Sequence, residues 1–206
     1  MNIEEQKRIW GNSNNWKSDG DEWSNYYENT INLWNILYPK FEMYLKGEVL
    51  EIAPGYGRIT KHLLEEYKKF NSLSIIDLNE NCIKTCIDKF GSNIKNYIVN
   101  DGKTLNFNDN SFDFIFSFDS FVHMTSDVIE CYIKEMHRTL KSNGYGFIHH
   151  SFFFGNDNPS ENIAGRSNMT PGLFKIFVEK YNLKIILQED FKVSNEVNDI
   201  ISIFQK

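Results

Sequence analysis

Apolar residues fall at helical spacing in some stretches of the chain and in short unbroken runs in others. Between Ile31 and Leu45, the residues Leu33, Trp34, Leu37, Phe41 and Tyr44 share one face at a 3.6-residue period, which predicts a helix. Pro39 bends or interrupts it, because proline has no N–H for the preceding turn. An alternation of elements follows. Strands are predicted over residues 48–53, 72–77, 97–100, 112–118 and 145–150. The run 112–118 is almost wholly apolar, as a strand buried on both faces is. Helices are predicted from about Arg58 to Phe70, from an Asn79 cap to about Phe90, and from a Ser126 cap to about Leu140. Asn143-Gly144 reads as a turn and residues 152–168 as a loop. Thr170-Pro171 reads as cap and first helical residue of a last helix, to about Tyr181. Residues 183–188 and 199–204 close the chain as an antiparallel strand pair at one edge. Such an order predicts an α/β fold: a seven-stranded, mostly parallel sheet with helices on both faces.

Residues 1–29 carry Trp10, Trp16, Trp23, Tyr26 and Tyr27 without a clear period. They read as a cover segment, and residues 30–206 as a single domain. A chain of 206 residues suits one core. The net charge of −6, with no block of Lys or Arg, argues against nucleic acid as partner. No apolar run approaches the span of a bilayer, and residues 1–8 lack the apolar stretch of a signal peptide. A cytoplasmic protein with no membrane insertion is therefore expected. Three cysteines agree with a reducing compartment. Cys82 and Cys86 have no partners at zinc-site spacing, so they read as small core residues and no metal is expected.

In a parallel sheet the ligand sits beyond the carboxyl ends of the strands. The turn after the first strand reads Glu51-Ile-Ala53-Pro54-Gly55-Tyr56-Gly57-Arg58, and its glycines let backbone turn sharply beside a ligand. The second strand ends in Asp77, placed to accept hydrogen bonds from ribose hydroxyls, with Leu78 beside it. Together they point to a nucleoside. The dinucleotide fingerprint would need a third glycine where Thr60 stands, and no Gly-Lys-Ser/Thr forms a P-loop. Asp101-Gly102 after the third strand offers a carboxylate and an amide to an adenine ring, or is simply a turn.

The order Glu51-x-Ala-Pro-Gly-x-Gly, Asp77, Asn100-Asp101-Gly102, Phe112-Asp-Phe-Ile-Phe-Ser-Phe-Asp119 and Leu140-Lys-x-x-Gly144 resembles class I S-adenosylmethionine-dependent methyltransferases, from about Leu33 to the end. Ala53 departs from that pattern, where the loop usually starts with glycine. The resemblance implies a Rossmann-like fold, S-adenosylmethionine as cofactor and S-adenosylhomocysteine as product. It implies that Glu51 and the loop of Ala53, Pro54, Gly55 and Gly57 surround the methionine moiety. Asp77 and Leu78 would take the ribose, Asp101 and Gly102 the adenine. The Phe118 backbone and Asp119 would lie near the amine and sulfonium. Trp23-Ser, Phe116-Ser-Phe-Asp-Ser-Phe-Val-His123 and Gly146-Phe-Ile-His149-His150-Ser151 also resemble a bacterial subgroup associated with polysaccharide and capsule biosynthesis. A sugar, nucleotide-sugar or glycan acceptor is what that likeness implies.

A hydroxyl acceptor needs a general base. His62 and His137 lie within predicted helices, where packing or surface roles suffice. His149 and His150 end the fifth strand and point to opposite faces, so at most one enters a given crevice. His150 is favoured as base, with His123 and Asp119 next. Trp23 and Tyr27 offer aromatic faces to the sulfonium or acceptor, or pack the cover. Arg166 is a candidate clamp for an acceptor phosphate or carboxylate. Asp119-Ser-Phe replaces the Asn/Asp-Pro-Pro-Tyr/Phe run of enzymes acting on nucleic-acid amines, and no Pro-Cys pair exists for cytosine-C5 chemistry. The expected function is O-methylation of a small acceptor. The alternatives are an amine, a phosphorylated acceptor or a natural product as acceptor, a non-catalytic cofactor-binding partner, or a nicotinamide oxidoreductase.

Overall fold

In the computed structural model, which describes residues 1–154 and 162–206, seven strands form one sheet. They are β1 (Glu48–Ile52), β2 (Ser72–Asp77), β3 (Asn96–Val99), β4 (Phe112–Ser117), β5 (Leu140–Ser151), β6 (Lys184–Lys192) and β7 (Asn198–Gln205). Their order is β3-β2-β1-β4-β5-β7-β6. The first five run parallel, and β7 is antiparallel to both β5 and β6. The mostly parallel sheet with an antiparallel pair at its edge is the predicted one. Strand order reverses between β1 and β4, so the crevice for a ligand opens at their carboxyl ends.

Among the described residues, six α-helices accompany the sheet: α1 (Ile3–Trp10), α2 (Thr30–Leu37), α3 (Thr60–Glu65), α4 (Glu80–Phe90), α5 (Ser126–Thr139) and α6 (Pro171–Lys180). Two apolar layers hold them. One joins Leu33, Phe41, Phe114, Phe116 and Phe147. The other joins Leu50, Ile115, Phe121, Ile129 and Phe174. Successive residues of β5 alternate between these layers, which later decides the roles of its two histidines.

Several local expectations shift. Pro39 ends α2 at Leu37, and a 3₁₀ turn over Tyr38–Lys40 replaces the last predicted turn. Asn79 does precede α4, but its side chain makes no capping bond. Its backbone N–H donates instead to Asp77 Oδ1 at 2.8 Å. Ser126 is the first residue of α5 rather than its cap, which is Thr125. Thr170 caps α6 through the Leu173 N–H at 3.1 Å, with Pro171 at the first helical position. The N-terminal segment contains a helix that its pattern did not predict. α1 is capped by Asn2, whose Oδ1 accepts from the Glu5 N–H at 3.0 Å, and has Glu4 and Glu5 in its first turn. Part of the loop expected over 152–168 lies outside the described residues. No helix among the described residues is long and apolar enough to cross a membrane.

Candidate active site

A cavity of about 360 Å³ opens at the carboxyl ends of β1, β2 and β4, under the N-terminal segment. At its β1–β2 end the chain leaves β1 through Ala53, which takes φ of +57°, a conformation that favours glycine. Gly55 follows at φ +58°, and a Cβ there would meet the Trp16 ring at 2.3 Å. Only glycine lets that ring lie on the loop. Gly57 is not in the wall. A Cβ there would strike the Phe90 ring at 2.5 Å, so this glycine serves helix packing rather than a ligand.

Two acids face this end. Asp77 is 5% exposed and accepts backbone N–H bonds from Gly55 at 3.2 Å and Asn79 at 2.8 Å. Burial outweighs these bonds and pushes its carboxyl up to about 6. Glu51 accepts from the Thr60 hydroxyl at 2.7 Å; burial, with Asp77 nearby, pushes it up to about 7. Pro54, Leu78 and Gly102 also line the cavity. Asp101 does not. Its exposed carboxylate turns back to accept from the N–H groups of Lys103 and Thr104 and the Thr104 hydroxyl, at 2.7–2.9 Å. The carboxylate expected to read adenine is thus spent on its own turn, and the wall there is the Leu78 side chain and the Gly102 backbone.

The other end is built on the loop leaving β4. Asp119 holds φ of +62° and points a carboxylate at Arg58, whose Nη2 lies 2.7 Å away. Burial works against its charge, but Arg58, His149, Arg166 and His123 together keep the carboxyl below its ordinary value. Arg58 also donates to Ser24 Oγ at 3.0 Å, and its guanidinium lies 5.8 Å above the Phe118 ring. His123 follows in a 3₁₀ turn and lines the cavity. Its Nδ1 is 2.9 Å from the Gly165 carbonyl, which can only accept, so Nδ1 carries the proton and Nε2 carries a lone pair. Burial, helped by Arg166, pushes its pKa down to about 4, leaving it neutral near pH 7.

The two histidines of β5 separate as the strand pleat requires. His150 is fully buried against the Phe174 ring, with centroids 4.2 Å apart, and both its nitrogens are engaged, by the Ser151 carbonyl and Ser202 Oγ. It faces the apolar layer away from the cavity, and burial pushes it down to about 3. Such a ring has no access to an acceptor, so the expectation that His150 is the base is set aside. His149 lies on the other face, stacked under Phe118 at 4.5 Å, and its Nδ1 accepts the Asp119 N–H at 3.1 Å. Arg166 lines the cavity, but Asp199 holds it at 2.6–3.1 Å through Nε and Nη2. Its charge is matched within the protein, which does not suit a phosphate clamp.

Overhead, Trp10, Trp16 and Trp23 pack edge-on to one another at 4.8–6.2 Å and line the cavity with Tyr27. Trp10 also meets the His123 ring at 5.1 Å. Arg58, His149, Asp199, Trp10 and Trp16 were not singled out from the sequence as site residues. Arg58 directly follows the glycine turn, and Asp199 is an acid opening an apolar strand; those were the available signals. Among the described residues, no group of three His, Cys, Asp or Glu side chains is placed to hold a metal.

A family model described as a methyltransferase domain matches residues 49–144, from β1 to the start of β5. Over these residues the chain matches a methyltransferase domain, and it is an enzyme that transfers methyl groups. Curated proteins give no match by sequence. Solved structures share the fold at low identity. An S-adenosylmethionine-dependent methyltransferase of Methanosarcina mazei is 19% identical with a TM-score of 0.63, covering 82% of this chain and 98% of its own. One from Leishmania major is 12% identical with a TM-score of 0.70, covering 98% and 82%. A structure described for the conversion of a disulfide into a thioacetal in echinomycin biosynthesis is 15% identical with a TM-score of 0.63, covering 82% and 80%. Likeness at these identities shows the fold and leaves the acceptor to the site itself.

Proposed function

We propose that this methyltransferase places a methyl group on a hydroxyl of a small uncharged acceptor, a sugar or glycan end, with His123 as proton acceptor. The observation that carries this reading is His123 itself. The Gly165 carbonyl fixes its tautomer, and among the described residues nothing hydrogen-bonds Nε2, in a ring that lines the cavity. Bound S-adenosylmethionine supplies a methyl carbon activated by the sulfonium. On this reading Glu51, Gly55, Asp77, Leu78 and Gly102 hold the cofactor, and Phe118 and Asp119 border the transferred group. With the cofactor bound, the methyl group would pass from its sulfur to the acceptor oxygen, and His123 Nε2 would take the acceptor proton.

The wall supports an uncharged acceptor. Three indoles line it, and the two arginines among the described lining residues, Arg58 and Arg166, already face carboxylates. A phosphorylated acceptor or nucleotide-sugar fits that wall less well. The choice of a sugar rests on the motif resemblance to the polysaccharide-associated subgroup. Residues 1–29 act as the cover that excludes water from the cavity. S-adenosylhomocysteine should therefore slow proteolytic cutting in this segment.

The test offers methyl-labelled S-adenosylmethionine to a panel of neutral sugars, nucleotide-sugars and small amines. Label on a neutral sugar, lost by about 10² to 10⁴ in His123→Ala and kept in His137→Ala, is the expected result. Label entering amines alone would overturn the hydroxyl reading.

A further inference from the structure

Asp119 and His123 stand at the two ends of the six-residue loop 118–123, and that loop is tied down at each end by groups that touch neither ligand. At its start, Asp119 is held in the left-handed region at φ +62°, and its N–H donates to His149 Nδ1 at 3.1 Å. An acceptor at Nδ1 puts the His149 proton on Nε2, which lies 3.3 Å from Asp199 Oδ2. Asp199 is fully buried and gripped by Arg166. Burial raises its carboxyl, but His149 and Arg166 more than reverse this and hold it down at about 2.

At the loop's far end, the residues flanking Arg166 complete the tie. The Gly165 carbonyl accepts from His123 Nδ1 at 2.9 Å, and the Ser167 N–H donates to the Val122 carbonyl at 2.7 Å. Ser167 is itself fixed by Ser151 Oγ on β5 at 2.7 Å. The contacts close a circuit: from Asp119 to His149, Asp199 and Arg166, through the backbone at 165–167, and back to Val122 and His123.

We propose that His149, Asp199 and Arg166 are positioning residues that set the tautomer and placement of His123 by holding loop 118–123 at both ends. The proposal rests on the reading of His123 as the proton acceptor. His149 holds a backbone conformation that an aspartate takes at a cost. Without the Nδ1 acceptor, the Asp119 N–H is left unpaired beneath Phe118, and the loop relaxes. His123 then loses its fixed distance to Gly165 and samples both tautomers. The proton on Nε2 blocks the very atom that must accept. Asp199 acts one step further back: its carboxylate lies 3.3 Å from Nε2 without a hydrogen bond, and its charge favours the His149 proton on that nitrogen, which leaves Nδ1 free to accept.

The test needs no acceptor. Protein labelled with ¹⁵N-histidine and saturated with S-adenosylhomocysteine reports the tautomer of each ring by nitrogen shift. The wild type should show Nδ1–H at His123 and Nε2–H at His149. His149→Phe keeps a ring under Phe118 but removes the acceptor, and should leave His123 as a mixture of tautomers. His149→Asn, whose Oδ1 can occupy the place of Nδ1, should restore the single tautomer. S-adenosylhomocysteine is kept at saturation for each variant, so that the ring nitrogen shifts are compared in the same complex. Should His149→Phe fail to fold, Arg166→Lys, which keeps a charge but not the fork, should give the same mixture. Nε2–H at His123 in the wild type, or an unchanged His123 in the folded variants, overturns the proposal. These outcomes are independent of the acceptor panel, which tests hydroxyl methylation by itself.

Discussion

At the β1–β2 end of the cavity, Glu51 and Asp77 accept hydrogen bonds from neutral donors: a threonine hydroxyl and two backbone N–H groups. At the β4–β7 end, Asp119 and Asp199 each face an arginine. Burial is severe at both ends, but the outcome is opposite. The first pair is pushed up to about 7 and about 6, while the second pair is held below its ordinary value. Unmatched acids in a cavity await donors from a ligand, and ribose hydroxyls and an amine are such donors. Matched acids do not; they build the wall. On the proposed reading, one end is prepared for the cofactor and the other is finished within the protein.

The sharpest way to break this contrast is to unmatch the finished end. Arg166→Ala leaves Asp199 fully buried without its cation, which should cost about 3–5 kcal/mol of stability. Arg58→Ala should cost clearly less, because Asp119 borders the cavity and can take up water. Urea unfolding of the two variants measures the difference. The Arg166→Ala deficit should shrink as pH is lowered, since a protonated Asp199 no longer needs a partner. Equal losses in the two variants would show that the two pairs are not distinct in burial or purpose.

At the prepared end, the loss should fall on binding instead. Asp77→Ala removes a charge-assisted acceptor from the cofactor and should weaken S-adenosylhomocysteine binding by about 1.5–3 kcal/mol, read by calorimetry. Stability should change much less than in Arg166→Ala, because an acid that burial disfavours is removed with the bonds it made. Unchanged affinity would dismiss Asp77 as a cofactor residue.

The same end sets a pH dependence of known sign. Glu51 and Asp77 have raised values in the folded protein, so between about pH 4 and 7 the folded state holds more protons than the unfolded one. The contribution of these two acids to the stability of the ligand-free protein should therefore fall as pH rises from 5 to 8, opposite in sign to the contribution of His123 and His150, and is read as the difference in pH profile between wild type and Glu51→Gln. A ligand that donates hydrogen bonds to the carboxylates favours their charged form, so binding near pH 6 should release protons. Calorimetry in two buffers of different ionisation heat detects this release; proton uptake would contradict the assignment.

The cofactor end was far more legible in the sequence than the acceptor end, and the reason is locality. Gly55 and Asp77 stand at strand ends whose positions follow from hydrophobic runs, so their place in the sheet follows as well. The acceptor end depends on contacts over long separations: Asp119 with Arg58, His149 with the Asp119 N–H, Arg166 with Asp199. The pattern told that His149 and His150 face opposite ways, but not which way each faces. That was set by the pairing of β5 with β7, which puts His150 beside Ser202 and against Phe174. Asp101 misled for a local reason: an Asp two and three residues before free N–H groups caps its own turn. α1 escaped notice because eight residues give too few apolar positions to show a period.

The smallest expected effect lies at the departure from the family's glycine loop. Ala53 sits at φ +57° between β1 and the glycine turn, with its N–H bonded to the Ile76 carbonyl at 2.7 Å. A non-glycine residue pays about 1–2 kcal/mol to hold the left-handed region, because Cβ crowds the carbonyl oxygen. Glycine avoids that strain but gains freedom in the unfolded chain, which costs roughly 0.4–1 kcal/mol. The difference predicts that Ala53→Gly stabilises the protein by about 0.5–1 kcal/mol. The extra room also lets a bound methionine moiety approach the backbone. Urea unfolding with and without S-adenosylhomocysteine separates the two effects. A gain in stability without a change in affinity would assign Ala53 to strain alone. A gain in affinity as well would show that its methyl group touches the ligand, sharpening the contrast between the prepared end of the cavity and the finished one. A net loss of stability would mean that the Ala53 methyl makes packing contacts worth more than the strain it causes.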